Sequence, residues 1–193
     1  MATPEETAKW LSLAQKGDEK AFEALVLSYE KVVYHVALRM MGNAEDAMDL
    51  SQEAWIKIYH AIGQFDGKCA FSTWIYRITT NVCIDALRKK KNKDTISMEE
   101  AADSEDGFGL QIADTSATPE ERYLKRERCQ ELLSAMERIP PEHKAILLLR
   151  DVKDLSYEEI GTILDLNPGT VKSRLYRARE NLRKEILKLR EQI

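Results

Sequence analysis

The segment from Leu155 to Arg179, LSYEEIGTILDLNPGTVKSRLYRAR, constrains the fold more than any other stretch, because it encodes two helices and the stop between them. Ser156 with Glu159 three residues on is a capping-box start, and Ile160, Ile163 and Leu164 then recur at helical spacing. Asp165-Leu166-Asn167-Pro168 ends that helix and begins another: Asn is a good N-cap, and Pro suits the first helical position, where its missing N–H costs nothing. Gly161 lets the two helices approach closely. Two short helices joined by so tight a turn predict a helix-turn-helix, the pattern of a DNA reader.

The orientation of the second helix follows from its angular period of roughly 100° per residue. Val171, Leu175, Ala178, Leu182, Ile186 and Leu189 fall on one narrow stripe and must face the core. Lys172, Ser173, Tyr176 and Arg177 then point outward, where they can reach base edges in a major groove, while Arg174 and Arg179 flank them at phosphate height. A Lys/Arg-rich amphipathic helix is ordinarily just solvated; the capped helix and tight turn before this one favour DNA.

Composition narrows the remaining classes. The 193 residues, 44% hydrophobic, suffice for one sizeable core or two small ones. Apolar runs are short, AILLL at 145–149 being typical, so neither a spanning helix nor a signal peptide is expected, and the chain reads as cytoplasmic. Cys69, Cys83 and Cys129 are odd in number and widely spaced, which predicts reduced, partly buried thiols rather than disulfides or a zinc site. His35, His60 and His143 have no partner at ligand spacing, so no metal or cofactor is expected. Phosphate loops, nucleophile elbows and paired catalytic carboxylates are likewise missing, which argues against an enzyme and a small-molecule substrate.

A net charge of −4 is unusual for a DNA binder, but the charge is segregated. Lys172 to Arg190 holds eight basic residues against two acidic ones, and Arg88-Lys89-Lys90-Lys91 forms a second basic run. Between them, residues 94–121 carry nine acidic side chains and no basic one. Residues 94–117, rich in Ser, Asp, Glu, Thr and Gly without a sustained period, read as a flexible acidic linker between a domain at 1–93 and another at 118–193.

The pattern is all-α throughout. Gly17-Asp18 starts a helix with Phe22, Leu25, Val26, Tyr29, Val32, Val33, Val36 and Met40 inside, ending near Gly42. A second runs from about Ala44 to Ile62 with Ala47, Leu50, Ala54, Ile58 and Ile62 inside, and a third begins near Ser72 after the loop Gln64 to Ala70. Past the linker, Thr118-Pro119-Glu120-Glu121 caps a helix through Leu124, Leu132, Leu133 and Met136, which Pro140-Pro141 ends. Glu142 to Arg150 forms another before the helix-turn-helix.

The third N-terminal helix offers a second surface. Ile75, Ile78 and Val82 make its core stripe, while Trp74, Tyr76, Arg77, Thr80, Asn81 and Arg88 combine rings, amides and cations of the kind that hold unpaired bases. Trp74 and Tyr76 would equally serve as ordinary core aromatics.

Four colinear motifs complete the reading: residues 46–62 (DAMDLSQEAWIKIYHAI), residues 65–91, the Ile139-Pro140-Pro141 junction and residues 155–184. Together they resemble bacterial sigma factors of the extracytoplasmic-function type, along nearly the whole chain. The resemblance implies a region-2 domain up to about residue 93 and a region-4 domain from about 118. It implies that Asp46, Asp49, Leu50, Gln52, Glu53 and Trp55 grip the β′ coiled coil of core RNA polymerase, with the β flap engaged by the other domain. It places Trp74, Tyr76, Arg77, Thr80, Asn81 and Arg88, with Lys68 in the preceding loop, at melting of the −10 promoter element. It places Thr170, Lys172, Ser173, Arg174, Tyr176, Arg177 and Arg179 at the −35 element. Thr79-Thr80 and Lys172 depart from the commonest family residues, which leaves promoter sequence open. Control by an anti-sigma protein is a further family expectation. The rival reading is a two-domain helix-turn-helix regulator that binds operators without polymerase.

Overall fold

The computed structural model describes residues 2–96 and 119–191, and every regular element among them is helical. A first unit comprises α1 (Pro4–Ala14), α2 (Glu19–Met41), α3 (Ala44–Ala61) and α4 (Phe71–Ile96), with a 3₁₀ turn at Ile62–Gln64. A second comprises α5 (Pro119–Arg138), α6 (Pro141–Leu147), α7 (Tyr157–Leu164) and α8 (Pro168–Glu191), with a π-helical turn at Leu148–Val152. The two-unit all-α expectation holds. Helix α4 continues to Ile96, three residues into the expected linker, and residues 97–117 of that linker lie outside the described residues.

Local chemistry fixes the helix ends in the first unit. Asp18 caps α2 by accepting from Ala21 N at 3.0 Å, and α2 ends at Gly42 with φ +85°, a left-handed conformation that glycine adopts without cost. Asn43 at once caps α3, accepting from Asp46 N at 2.8 Å. Leu25, Val33, Ala54, Ile58 and Ile75 are fully enclosed where α2, α3 and α4 meet.

Helix α1 has no counterpart in the sequence reading, although its signal is there. Thr3-Pro4-Glu5-Glu6 repeats the Thr118-Pro119-Glu120-Glu121 motif that predicts α5, and it forms a full capping box: Thr3 N donates to Glu6 Oε2 at 2.8 Å and Glu6 N donates to Thr3 Oγ1 at 3.2 Å. The helix is docked by Thr7 and Tyr29, whose hydroxyls lie 3.3 Å apart, and by Gln15 Nε2, which donates to the Ile62 and Phe65 carbonyls at 3.1 and 2.8 Å.

In the second unit Ala145 to Leu149 are all buried, because α6 has two covered sides. Ile146, Leu147 and Leu149 join Ile160, Ile163, Val171 and Leu175 in the unit's own core, whereas Ala145 and Leu148 face α2 and α4. The expected α5 forms, with its inner face on other residues than the leucines that marked it. Leu132 is 43% exposed while Ala135 and Ile139 take the inner positions, because α5 has α8 as its principal packing partner among the described residues. Ser156→Ala removes one side of the α7 capping box and is expected to lower stability by about 1 kcal/mol in chemical denaturation.

Candidate nucleic-acid interface

The helix-turn-helix is built as the sequence predicts. Ser156 N donates to Glu159 Oε2 at 2.8 Å and Glu159 N to Ser156 Oγ at 3.2 Å; α7 ends at Asp165 with φ +54°, and Leu166 N donates to the Gly161 carbonyl at 2.9 Å. A side chain at Gly161 would place its Cβ 2.5 Å from the Leu166 carbonyl oxygen, so only glycine fits. Asn167 Oδ1 starts α8 by accepting from Thr170 N at 2.8 Å. Val171, Leu175 and Ala178 are buried, and Lys172, Ser173, Tyr176 and Arg177 are exposed on the opposite side, Tyr176 at 69%.

Three of the seven residues expected at this face are already engaged within the protein or turned aside. The Thr170 hydroxyl donates to Asn167 Oδ1 at 2.9 Å. Arg179 is held by a bidentate pair with Asp151, its Nη2 2.5 Å from Oδ1. Arg174 is half-buried and turns towards Glu142 and α4.

Behind α8 the sequence assigned no chemistry to His143, and the structure gives it a packing role. Asn181 Nδ2 lies 3.1 Å from His143 Nδ1, and burial, followed by the nearby Arg174 charge, holds the imidazole below its ordinary value of 6.5. A histidine depressed in the folded state binds its proton more readily when unfolded. Its stabilising contribution is therefore full above 6.5 and lost as pH falls below it. His143→Gln is expected to flatten the melting-temperature profile in that window.

On α4 the expected strand-binding residues divide between two sides. Arg77 and Asn81 are exposed, and Lys68 lies exposed in the preceding loop, paired with Asp66. Trp74 is half-buried in an aromatic cluster, its centroid 5.3 Å from Phe65 and 5.7 Å from Phe71, so it serves the core and borders solvent at once. Tyr76 is half-buried, and Thr80 is fully enclosed at 0% exposure, contrary to its expected DNA-facing place. Thr80 lies four residues after Tyr76 and three before Cys83, on the face that the second unit covers. The Arg88 guanidinium is drawn to Glu142, with Nη2 2.6 Å from Oε1. Cys69, Cys83 and Cys129 are all free, and burial pushes the Cys83 thiol up to about 12, which leaves it unreactive.

The α3 surface differs from expectation in an informative way. Asp49, Gln52 and Glu53 are exposed, but Leu50 and Trp55 pack inward, Trp55 meeting Phe22 edge-on at 6.1 Å. Asp46 is half-buried and accepts from Asn43 Nδ2 at 2.9 Å. The sequence reading missed Met48, Ile56 and Tyr59, which are 57, 59 and 49% exposed. They lie on one exposed ridge of α3, with Gln52 between Met48 and Ile56, beside the acidic residues, and their signal was apolar side chains lying off the buried stripe.

A capped helix-turn-helix with a solvent-facing basic helix, joined to a unit whose α4 presents rings and amides, defines a bipartite helical DNA-binding protein. Residues 25–93 match the family model for Sigma-70 region 2, and residues 129–182 match that for Sigma-70, region 4. The chain is 36% identical to the ECF RNA polymerase sigma factor SigW of Bacillus subtilis, over 92% of this chain and 95% of that protein. It is 34% identical to the RNA polymerase sigma-H factor of Pseudomonas aeruginosa, over 96% of each. It is also 38% identical to the ECF RNA polymerase sigma-E factor of Escherichia coli, over 86% of each. The protein belongs to the extracytoplasmic-function family of RNA polymerase sigma factors, and so to the transcription initiation factors.

Solved structures share the fold. CnrH in complex with the cytosolic domain of CnrY aligns with a TM-score of 0.60 at 20% identity, covering 93% of this chain and 96% of that one. The sigma factor RpoE in complex with the anti-sigma factor NepR from Bartonella quintana aligns with a TM-score of 0.62 at 21% identity, covering 88% and 98%. Among the described residues no helix is long and apolar enough to cross a membrane.

Proposed function

We propose that this sigma factor acts in the cytoplasm, performs no bond chemistry of its own, and directs core RNA polymerase to promoters through three surfaces. The exposed face of α3, with Asp49, Gln52 and Glu53 beside Met48, Ile56 and Tyr59, docks on the β′ coiled coil. Helix α4 and its preceding loop hold the opened −10 strand through Trp74, Arg77 and Asn81, with Lys68, Tyr76 and Arg88 at the margins. Helix α8 reads the −35 duplex with Lys172, Ser173, Tyr176 and Arg177, the second unit meeting the β flap. The single observation that supports this most is the outward array on α8, exposed on the second helix of a correctly formed helix-turn-helix. The division at residues 93 and 118 is part of the same reading.

Energetics explain why a partner is needed. Opening about ten base pairs costs on the order of 14 kcal/mol at roughly 1.4 kcal/mol per step. Stacking returns roughly 1–3 kcal/mol per captured base, so two or three bases fall short. Polymerase must supply the difference. Control by an anti-sigma protein is proposed by analogy with RpoE, whose solved complex contains one.

Run-off transcription with the purified chain, core polymerase and a promoter panel tests the proposal. Promoter-specific transcripts are expected. Operator binding without any affinity for core would sink it and favour a free-standing regulator.

A further inference from the structure

The loop at residues 65–70 leaves the 3₁₀ turn at Phe65 and enters α4 at Phe71. Its tip and its exit are fixed by near neighbours. At the tip, Lys68 N donates to Asp66 Oδ1 at 3.1 Å. At the exit, the Phe71 ring lies 5.7 Å from Trp74 and 5.6 Å from Phe65, and Tyr29 meets it edge-on at 5.4 Å. At the entry the backbone makes one short-range bond, from Phe65 N to the Ile62 carbonyl at 3.2 Å.

That entry is gripped from α1. Gln15 Nε2 donates to the Phe65 carbonyl at 2.8 Å and to the Ile62 carbonyl at 3.1 Å, one amide hydrogen for each acceptor. Gln15 is itself firmly placed: its backbone N–H donates to the Leu11 carbonyl at 2.9 Å as α1 ends, and Asp18 three residues on already caps α2. Trp10, Leu11 and Ala14 seat α1 on the first unit's core. The buried Thr7 hydroxyl lies 3.3 Å from that of Tyr29, so α1 also reaches the Phe71 end of the loop through the Tyr29 ring. An exposed amide bonded to two carbonyls adds little stability, because water competes for every partner. What the pair of bonds does fix is where the Phe65 backbone stands.

We infer that α1 is a brace for promoter opening and that Gln15 is a positioning residue, holding the loop entry so that Phe65, Lys68 and Trp74 meet the displaced −10 strand already arranged. The inference rests on the sigma-factor reading above. Helix α1 ends before residue 25, where the region-2 match begins. A loop that had to be ordered at the moment of capture would give up part of the stacking return to that ordering, and the brace avoids this loss.

Gln15→Met tests the brace, because it keeps the length of the side chain, adds no charge near the strand and removes both donated bonds. In the full-length protein, hydrogen exchange at residues 65–70 should quicken about tenfold while α2, α3 and α8 keep their protection. With core polymerase, permanganate reactivity of −10 thymines on a duplex promoter should fall about tenfold. On a template already mismatched across the −10 element, which removes the cost of unpairing, the loss should shrink to about twofold. Core affinity and −35 duplex binding should stay as in wild type. Unchanged loop exchange, unchanged opening or an equal loss on both templates would overturn the brace, and so would a loss of core affinity, which would place the action of α1 in docking. A wild-type chain that fails to bind core refutes the sigma reading, and exchange at the loop then still decides whether Gln15 holds it.

Discussion

Gly161→Ala is expected to destabilise the second unit by about 2–3 kcal/mol, at the upper end of ordinary overpacking, and to abolish binding of duplex promoter DNA. The added Cβ would sit 2.5 Å from the Leu166 carbonyl oxygen, a backbone atom that cannot rotate away. Leu166 cannot retreat without breaking its 2.9 Å hydrogen bond back to the Gly161 carbonyl, and Asp165 between them already occupies the left-handed region at φ +54°. The turn must therefore deform, and with it the angle at which α8 leaves α7. Gly63→Ala is the matched control, since a Cβ there meets nothing within 4 Å. Urea denaturation of the two variants side by side measures the difference; equal midpoints would show that the turn is softer than its hydrogen bonds indicate.

Removing the exposed apolar stripe of α3 is expected to have a comparably large effect on binding and almost none on stability. Met48→Ala with Ile56→Ala should weaken association with core polymerase by roughly 30-fold, a hot-spot-sized loss of about 2 kcal/mol. Both side chains are more than half exposed, so the melting temperature should hardly move. Trp55→Ala should behave in the opposite way, because that ring packs against Phe22 and the first unit's core. Titration of core with labelled chain gives the affinities, and an unchanged value for the double variant would remove α3 from the docking surface.

Much of the fold was legible because it is set by short-range chemistry. The Ser156–Glu159 box, Asn167 with Pro168 and the angular stripe Val171–Leu175–Ala178 each act within one or two helical turns, and each is found as expected. Helix α1 was equally legible at Thr3 and Glu6 and went unread. What the sequence could not disclose is which of two possible covered sides a helix presents to a distant part of the chain. The pattern of α4 allowed Trp74 and Tyr76 to be either base contacts or core aromatics and put Thr80 among the base contacts, and only the meeting with Ala145 and Leu164, about 65 to 88 residues away, half-buries Tyr76 and encloses Thr80. The partner of Arg179 was illegible for a related reason: its charge pattern is local, but Asp151 reaches it from the π-helical turn.

Those ion pairs on α8 bear on how strongly the protein should respond to salt. Arg179, Arg183, Lys188 and Arg190 already have carboxylate partners in Asp151, Glu180, Glu185 and Glu131. Cations paired in this way must give up a carboxylate before they meet a phosphate, which lowers their net contribution to counterion release. Eight free basic residues would give a logarithmic salt slope of roughly −7 at about −0.9 per phosphate. Arg174 is turned towards Glu142, so Lys172, Arg177 and Lys184 alone would give roughly −3. Duplex binding by this helix should therefore survive increases in ionic strength that would detach a helix with the same number of unpaired lysines and arginines.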